Sequence, residues 1–222
     1  MCIRDRSNST AKKFVNKYKK LGFSEDVALR VYTTQLLGKN SNLVLHGGGN
    51  TSVKTILRDI DGKNHNVLCV KGSGWDMADI EPEGLPAVKL EPLLRLKNKP
   101  YITDQNMVNY QKRNLMNVES PNPSVETFLH AFLPFKYVDH THADAILNIT
   151  NRPNGLKFCK KIFGVNVGIV PYIMPGFLLA KKVYEIYSKN PNVNCLILMN
   201  HGIFTFGSTA KESYDLMIKH VS

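Results

Sequence analysis

The chain has 222 residues, of which 43% are hydrophobic, and a net charge of +11. A chain of this length can bury a full core as one domain. No apolar run reaches the roughly 18 residues that a membrane-spanning helix needs, and the polar N-terminus does not resemble a signal peptide, so we expect a soluble, cytoplasmic protein with no membrane partner.

The positive charge is concentrated at the N-terminus. The first twenty residues contain seven basic residues and one acidic residue, whereas the other 202 contain 22 basic and 17 acidic residues. No nucleic-acid motif follows, so the charge predicts a solvated, lysine-rich helix rather than nucleic-acid binding. The mildly positive remainder suits an anionic small substrate.

The N-terminal region divides into three parts. Residues 1–6 resemble a translated sequencing adapter, and we interpret them as an artefact outside the fold. Residues 7–24 predict a basic helix, and residues 25–222 predict the main domain, which begins with a second helix after Ser24.

Short apolar strands and helices alternate along the main domain, which predicts one mixed α/β domain. The predicted strands are 43–45, 67–70, 137–141, 167–170, 195–199 and 203–206, and the predicted helices include 125–133 and 176–188. Asn154-Gly155 and Pro191-Asn192 predict turns.

Four widely spaced cysteines (Cys2, Cys69, Cys159 and Cys195) predict buried free thiols in a reducing compartment.

Two glycine-rich segments follow predicted strands. They are residues 46–52, of sequence His-Gly-Gly-Gly-Asn-Thr-Ser, and residues 70–74, of sequence Val-Lys-Gly-Ser-Gly. Glycines let backbone N–H groups converge on an anion, and the Asn and hydroxyl side chains add donors. Neither segment matches a P-loop or a dinucleotide fingerprint, so binding of a phosphate or carboxylate and a pair of tight turns both remain open.

Glu126 lies at the start of a predicted helix whose other residues are mainly apolar. A carboxylate there can simply interact favourably with the helix dipole, or it can act as a general acid and base beside a metal-bound carbonyl. His130, four residues further on, is interpreted as a core or supporting residue rather than a metal ligand.

Three histidines predict a metal site. His140 and His142 are separated by one residue in a predicted strand, so their side chains point to the same side. His201, at the end of another apolar run, would complete a three-imidazole site with an open fourth position. That arrangement is typical of catalytic rather than structural zinc.

The C-terminus stops within a predicted helix. Thr209 and Glu212 form a capping-box pattern that opens this helix, and the chain ends at Ser222 without a stop signal. We therefore interpret the main domain as truncated at its C-terminus.

The order of these motifs resembles the class II aldolase/adducin family from about residue 25 onward. The motifs are Gly-Gly-Gly-Asn50-Thr-Ser, Lys-Gly-Ser73-Gly, Pro-Ser124-Val-Glu126, His140-Thr-His142, Val170-Pro-Tyr172 and His201-Gly. Residues 138–142 and 129–134 more nearly resemble the aldolase part of bifunctional rhamnulose-1-phosphate aldolase/short-chain alcohol dehydrogenase proteins. This resemblance implies a central, mostly antiparallel sheet flanked by helices, and a dehydrogenase half after residue 222.

The resemblance also implies roles for individual residues. His140, His142 and His201 would bind zinc or another divalent metal, and Glu126 would transfer the proton at the enediolate carbon. Asn50, Ser73, Gly74 and Ser124 match positions that hold the substrate phosphate. Tyr172 matches a tyrosine from a neighbouring subunit that donates a proton to the aldehyde product, so the family implies a catalytic homo-oligomer, expected to be a tetramer.

One position departs from the fuculose-phosphate type of the family. That type has two serines before the glutamate, whereas this chain has Ser124 followed by Val125. One hydroxyl donor to the phosphate is therefore absent.

These observations together predict a metal-dependent aldehyde-lyase that acts in carbohydrate metabolism. It would cleave a ketose 1-phosphate of the rhamnulose or fuculose type to dihydroxyacetone phosphate and an aldehyde through a metal-stabilised enediolate. The alternatives are a sugar-phosphate 4-epimerase of the same fold and a non-catalytic, adducin-like interaction domain. A nucleic-acid-binding protein is the weakest alternative because the charge is confined to the first twenty residues.

Overall fold

The computed structural model describes residues 6–222, so most of the segment interpreted as an artefact lies outside the described residues. The described part contains nine α-helices: α1 (Asn8–Lys19), α2 (Glu25–Gly38), α3 (Leu90–Arg95), α4 (Asp104–Arg113), α5 (Thr127–Phe132), α6 (Asp144–Thr150), α7 (Gly155–Phe163), α8 (Phe177–Lys189) and α9 (Ala210–Val221). Its seven strands are β1 (Asn50–Arg58), β2 (Asn64–Val70), β3 (Ala87–Lys89), β4 (Tyr137–Thr141), β5 (Val167–Val170), β6 (Cys195–Leu198) and β7 (Gly202–Gly207).

All seven strands form one sheet in the order β3-β2-β1-β4-β7-β6-β5. Every neighbouring pair is antiparallel except β5 and β6, which are parallel. The chain crosses between β5 and β6 through α8, because parallel neighbours need a long connection. The expected α/β fold with a mostly antiparallel sheet and flanking helices is confirmed.

The sheet is buried on both faces. Side chains alternate along a strand, so neighbouring residues enter different cores. In β7, for example, Phe204 packs with α5 and α8 residues, whereas Ile203 packs with residues of α9 and α6. A third cluster joins α1 and α2 to β1 and β2.

No helix within residues 6–222 combines the length and apolarity needed to cross a membrane.

One local prediction was wrong. Residues 43–45 are not a strand: Leu43 and Val44 are buried, but Leu43 belongs to a turn in which its amide bonds to the Asn40 carbonyl, and Val44 follows it. Their apolar character reflects burial against other core residues rather than strand pairing. The predicted turn at Asn154-Gly155 is present, since the Gly155 amide donates to the Arg152 carbonyl, and α7 begins directly after Asn154.

The strand at the centre of the sheet contains a buried charge network. Asp139 of β4 forms an ion pair with Arg30 of α2 at 2.5 Å, and both side chains are fully buried. Asp139 also accepts a hydrogen bond from the Ser213 hydroxyl of α9. Arg30 donates to the hydroxyls of Thr33 and Thr34. The network therefore links two helices to β4 on the face opposite that of His140, the next residue.

Candidate metal and substrate site

Three histidines lie together where β4 and β7 meet. His140 is in β4, His142 follows the end of that strand, and His201 is in the turn between β6 and β7. Each offers one ring nitrogen, and these three nitrogens lie within 4.8 Å of one another. Because metal–nitrogen bonds are about 2.0–2.1 Å long, this spacing suits one ion bound between the three rings.

The ring orientations also suit a cation. Nδ1 of His140 lies 3.0 Å from the carbonyl oxygen of Ile203, so this nitrogen donates and Nε2 presents a lone pair. That Nε2 lies only 3.0 Å from Nε2 of His142. The His140 ring is further fixed by stacking on Phe204, with the ring centroids 4.1 Å apart. The chain thus holds two nitrogens close enough to share an ion.

Burial keeps these imidazoles neutral. It lowers the pKa of His140 well below its usual value, with the neighbouring His142 and His201 adding to the effect. Burial also lowers the pKa of His142, and that of His201 to about 4. Neutral imidazoles are the form that binds metals, so the site needs no deprotonation near pH 7.

Glu126 faces the histidine cluster. It is the N-cap residue of α5, but its carboxylate makes no capping hydrogen bond, so the helix-dipole interpretation does not explain its direction. Its two oxygens lie 3.4 Å from Nε2 of His140 and 3.6 Å from Nε2 of His201. Oε1 is buried without a hydrogen-bond partner within residues 6–222. Burial raises the pKa of Glu126 to about 7, partly offset by a hydrogen bond from Asn50.

Asn50 connects Glu126 to a buried histidine. The Asn50 amide nitrogen donates to Oε2 of Glu126 at 2.7 Å and to the Ser124 hydroxyl at 3.1 Å. Its amide oxygen must therefore accept, and the partner is Nε2 of His130. Nδ1 of His130 then accepts from the Ser52 hydroxyl at 2.8 Å. His130 lies outside the imidazole cluster, in the supporting position that its place on the helix predicted, and it fixes which way the Asn50 amide points.

Asn50, Glu126 and two of the three histidines lie around one pocket with a volume of about 250 Å³. It is lined by residues 47–50, 71–74 and 124–126, together with His142, Pro175 and His201. The two glycine-rich segments, the loop before α5 and two of the three histidines are thus brought together. Lys71 also lines the pocket, and we did not single it out in the sequence. Its only signal was its position directly before the Gly-Ser-Gly turn.

Tyr172 is not among the residues that line this pocket. It follows β5 and is 55% exposed, and its hydroxyl lies 4.0 Å from the sulfur of Met174. The structure therefore brings together all the other predicted site residues and leaves Tyr172 on the surface of its own subunit.

Two glycines permit the close approach of the backbone around the histidines. A Cβ atom on Gly202 would lie 2.3 Å from the carbonyl oxygen of Thr141 and 3.1 Å from the His140 ring. A Cβ atom on Gly49, which has φ +64°, would lie 2.8 Å from the His140 carbonyl oxygen. Side chains at either position would push the glycine-rich segment or β7 away from β4.

Residues 29–221 match the family model described as Class II Aldolase and Adducin N-terminal domain. An uncharacterized oxidoreductase of Bacillus subtilis, YuxG, is 38% identical over 188 residues, which are 85% of this chain but only 27% of that protein. The chain therefore spans about a quarter of the length of this relative.

Solved structures show the same fold. The N-terminal class II aldolase domain of a conserved protein from Thermoplasma acidophilum is 46% identical, with a TM-score of 0.83 over 90% of this chain and 92% of that one. A sugar-phosphate aldolase from Thermotoga maritima shares 15% identity and a TM-score of 0.63 over 87% and 90% of the two chains, which indicates a shared fold only. The chain belongs to the class II aldolase and adducin N-terminal domain family.

Proposed function

We propose that this domain is a metal-dependent aldehyde-lyase that cleaves a ketose 1-phosphate to dihydroxyacetone phosphate and an aldehyde. The observation that supports this most is the position of the Glu126 carboxylate, 3.4 to 3.6 Å from two imidazole nitrogens of the three-histidine cluster and beside a pocket lined with hydrogen-bond donors. An l-fuculose-1-phosphate aldolase from Thermus thermophilus shares this fold at a TM-score of 0.54 and 19% identity.

His140, His142 and His201 are the residues that would hold the metal, zinc or another divalent ion. A divalent ion bound by neutral imidazoles retains positive charge, which polarises a carbonyl and offsets the negative charge that develops when a carbon–carbon bond breaks. A side chain of the protein supplies the proton transfer. Glu126, with its pKa near 7, can hold and return a proton at the carbon that loses its neighbour.

Ser73, Gly74 and Ser124 line the same pocket and offer hydroxyl and backbone N–H donors to the substrate phosphate, whereas Asn50, which also lines it, already donates both amide hydrogens to Glu126 and Ser124. Asn50 acts by holding both the Ser124 hydroxyl and the Glu126 carboxylate, so it fixes a phosphate donor relative to the proton carrier. Substrate anchor and proton carrier are thus positioned by one side chain.

The proposal is tested by measuring metal content and then screening ketose 1-phosphates of the rhamnulose and fuculose type. Aldehyde release, followed with a coupled reductase, together with formation of dihydroxyacetone phosphate is the expected result. Conversion to an isomeric sugar phosphate without aldehyde would instead identify a 4-epimerase. A protein that binds no metal and converts no sugar phosphate would fit the adducin-like alternative.

Replacing His142 with alanine should lower metal occupancy at least tenfold, because a site that loses one of three ligands is poorly closed. Elemental analysis of purified protein after dialysis measures this directly. His65→Ala is the matched control, since His65 pairs with Asp59 in the β1–β2 hairpin, outside the pocket. Equal metal content in the wild type and His142→Ala would contradict the three-histidine assignment.

We further propose a homo-oligomer, a tetramer by family likeness, in which Tyr172 acts at the site of a neighbouring subunit. Its exposure supports this, as do the neighbouring apolar side chains Met174 and Leu178, which are 72% and 49% exposed.

Mixing Tyr172→Phe subunits with Glu126→Gln subunits should restore part of the activity that each variant lacks alone, because some mixed sites contain both intact residues. Activity is measured after subunit exchange has been verified by mass spectrometry of the mixed assemblies. Absence of recovery would show that Tyr172 acts within its own chain or has no catalytic role.

A further inference from the structure

Three polar side chains follow one another along one face of β1. Asn50, Ser52 and Lys54 are alternate residues of this strand, so their side chains point to the same side. Asn50 donates to Oε2 of Glu126 at 2.7 Å. The Ser52 hydroxyl lies 2.8 Å from Nδ1 of His130, and the Lys54 ammonium donates to the His130 carbonyl oxygen at 2.8 Å. β1 therefore holds α5 both at its N-cap and near its C-terminal end.

The His130 ring is fully buried and neutral. Burial lowers the pKa of His130 well below its usual value, and the positive charges of Lys54 and Arg30 lower it further. A neutral imidazole carries a proton on one nitrogen and a lone pair on the other. The amide oxygen of Asn50 can only accept, so the proton lies on Nε2, and Nδ1 accepts from the Ser52 hydroxyl.

The direction of the Asn50 amide depends on its neighbours. An asparagine amide can turn by half a rotation with almost no change in shape, which exchanges its oxygen and its nitrogen. The Ser124 hydroxyl suits either direction because it can donate or accept. The Nε2–H of His130 suits only the oxygen, because the turned amide would bring two donors together.

The Glu126 carboxylate depends on the direction of this amide. Its Oε1 has no hydrogen-bond partner within residues 6–222, so the carboxylate is held through Oε2, to which Asn50 donates. A turned amide would place its own oxygen against Oε2, and two acceptors repel each other. The carboxylate would then leave its position 3.4 Å from Nε2 of His140.

We propose that His130, held by the Ser52 hydroxyl, is a positioning residue that keeps the Asn50 amide nitrogen directed at Glu126 during the proposed reaction. The catalytic part of this inference rests on the proposed function. His130 does not line the pocket, so it acts through Asn50 rather than on the substrate.

The position of the His130 proton tests this arrangement without any measurement of activity. Nuclear magnetic resonance of the metal-loaded protein, with isotope-labelled histidine ring nitrogens, should show one proton on Nε2 and none on Nδ1. The signal is identified by its loss in His130→Gln. A proton on Nδ1, or on both nitrogens, would overturn the proposal.

The kinetic test compares two variants of His130 in the metal-loaded protein. His130→Leu removes the donor to Asn50 and should lower turnover about 10- to 100-fold, the range for a lost hydrogen bond to a charged group, with metal content unchanged. His130→Gln retains an N–H donor and should recover most of this loss. His220→Leu is the matched control, since His220 makes a similar contact with Asn194 outside the pocket, and it should leave turnover unchanged.

A double-mutant cycle with Asn50→Ala separates positioning from a merely structural role. If His130 acts through Asn50, His130→Leu has no further effect on turnover once residue 50 is alanine. The same fold loss in both backgrounds would overturn the proposal, as would full turnover of His130→Leu. If His130→Leu does not fold, Ser52→Ala takes its place in the cycle, and the same two results decide.

Failure of this inference and failure of the proposed function are distinguishable. A wild-type protein that cleaves no ketose 1-phosphate would refute the proposed function, whereas the proton on Nε2 of His130 would still support the fixed direction of the Asn50 amide. An active aldolase with the His130 proton on Nδ1 would refute this inference alone.

Discussion

Glu126→Gln should lower turnover by about 10² to 10⁴, the range by which general acid–base catalysis accelerates a reaction. Glutamine keeps the volume of the side chain and its hydrogen bond to Asn50 but cannot take up the proton. The expected KM and metal content are close to those of the wild type, because the three histidines and the phosphate donors are unchanged. Steady-state kinetics and elemental analysis on the same preparation measure both effects.

The affinity for a hydroxamate that mimics the enediolate separates chemistry from binding. It should be largely retained in Glu126→Gln, because chelation supplies most of that affinity. Glu119→Gln, on an exposed side chain outside the pocket, is the matched control. Loss of metal would make Glu126 a fourth ligand, consistent with its short distances to His140 and His201, and full turnover would contradict a catalytic role altogether.

Asp139→Asn should destabilise the protein by about 3 to 5 kcal/mol, the cost of leaving one member of a buried ion pair without its partner. Asparagine has nearly the same shape, so the loss comes from the unpaired Arg30 guanidinium rather than from a cavity. Urea unfolding followed by circular dichroism measures the change in the free energy of unfolding.

The double variant Arg30→Met/Asp139→Leu is the informative comparison. Replacing both charges with apolar side chains should recover most of the stability, since no buried charge is left unpaired. Lys19→Gln, which breaks the exposed pair between Lys19 and Glu25, should leave the unfolding midpoint unchanged. A single Asp139→Asn variant as stable as the wild type would show that the ion pair contributes nothing to the fold.

The three-histidine cluster was predictable from sequence because its signal is local. One-residue spacing in a strand places His140 and His142 on the same side, and an apolar run before His201 indicates a strand end. The structure brings their ring nitrogens within 4.8 Å. The position of Glu126 beside them could not be predicted from a local pattern. It was predicted from the order of the motifs, which resembles that of the family.

Other features depend on contacts that no local pattern records. The role of Asn50 as a link between Glu126 and His130 exists only because β1 pairs with β4, which aligns Asn50 with His140. β1 itself was not predicted, since its first residues read as a glycine-rich loop. Lys71 was overlooked for a similar reason: its burial results from the packing of two loops that are distant in sequence.

The pairing of β4 with β7 also determines when the site can form during folding. His140 lies opposite Phe204 in the register, so roughly sixty residues must be enclosed before these strands meet. Contacts that close long loops are slow to form, and the local β1–β2 hairpin can form well before them. The three imidazoles are therefore separate in the early stages of folding, and an ion bound by all three would join β4 to the β6–β7 turn. Such a link acts mainly on the unfolding rate, so the metal would contribute kinetic stability even if it did not speed folding.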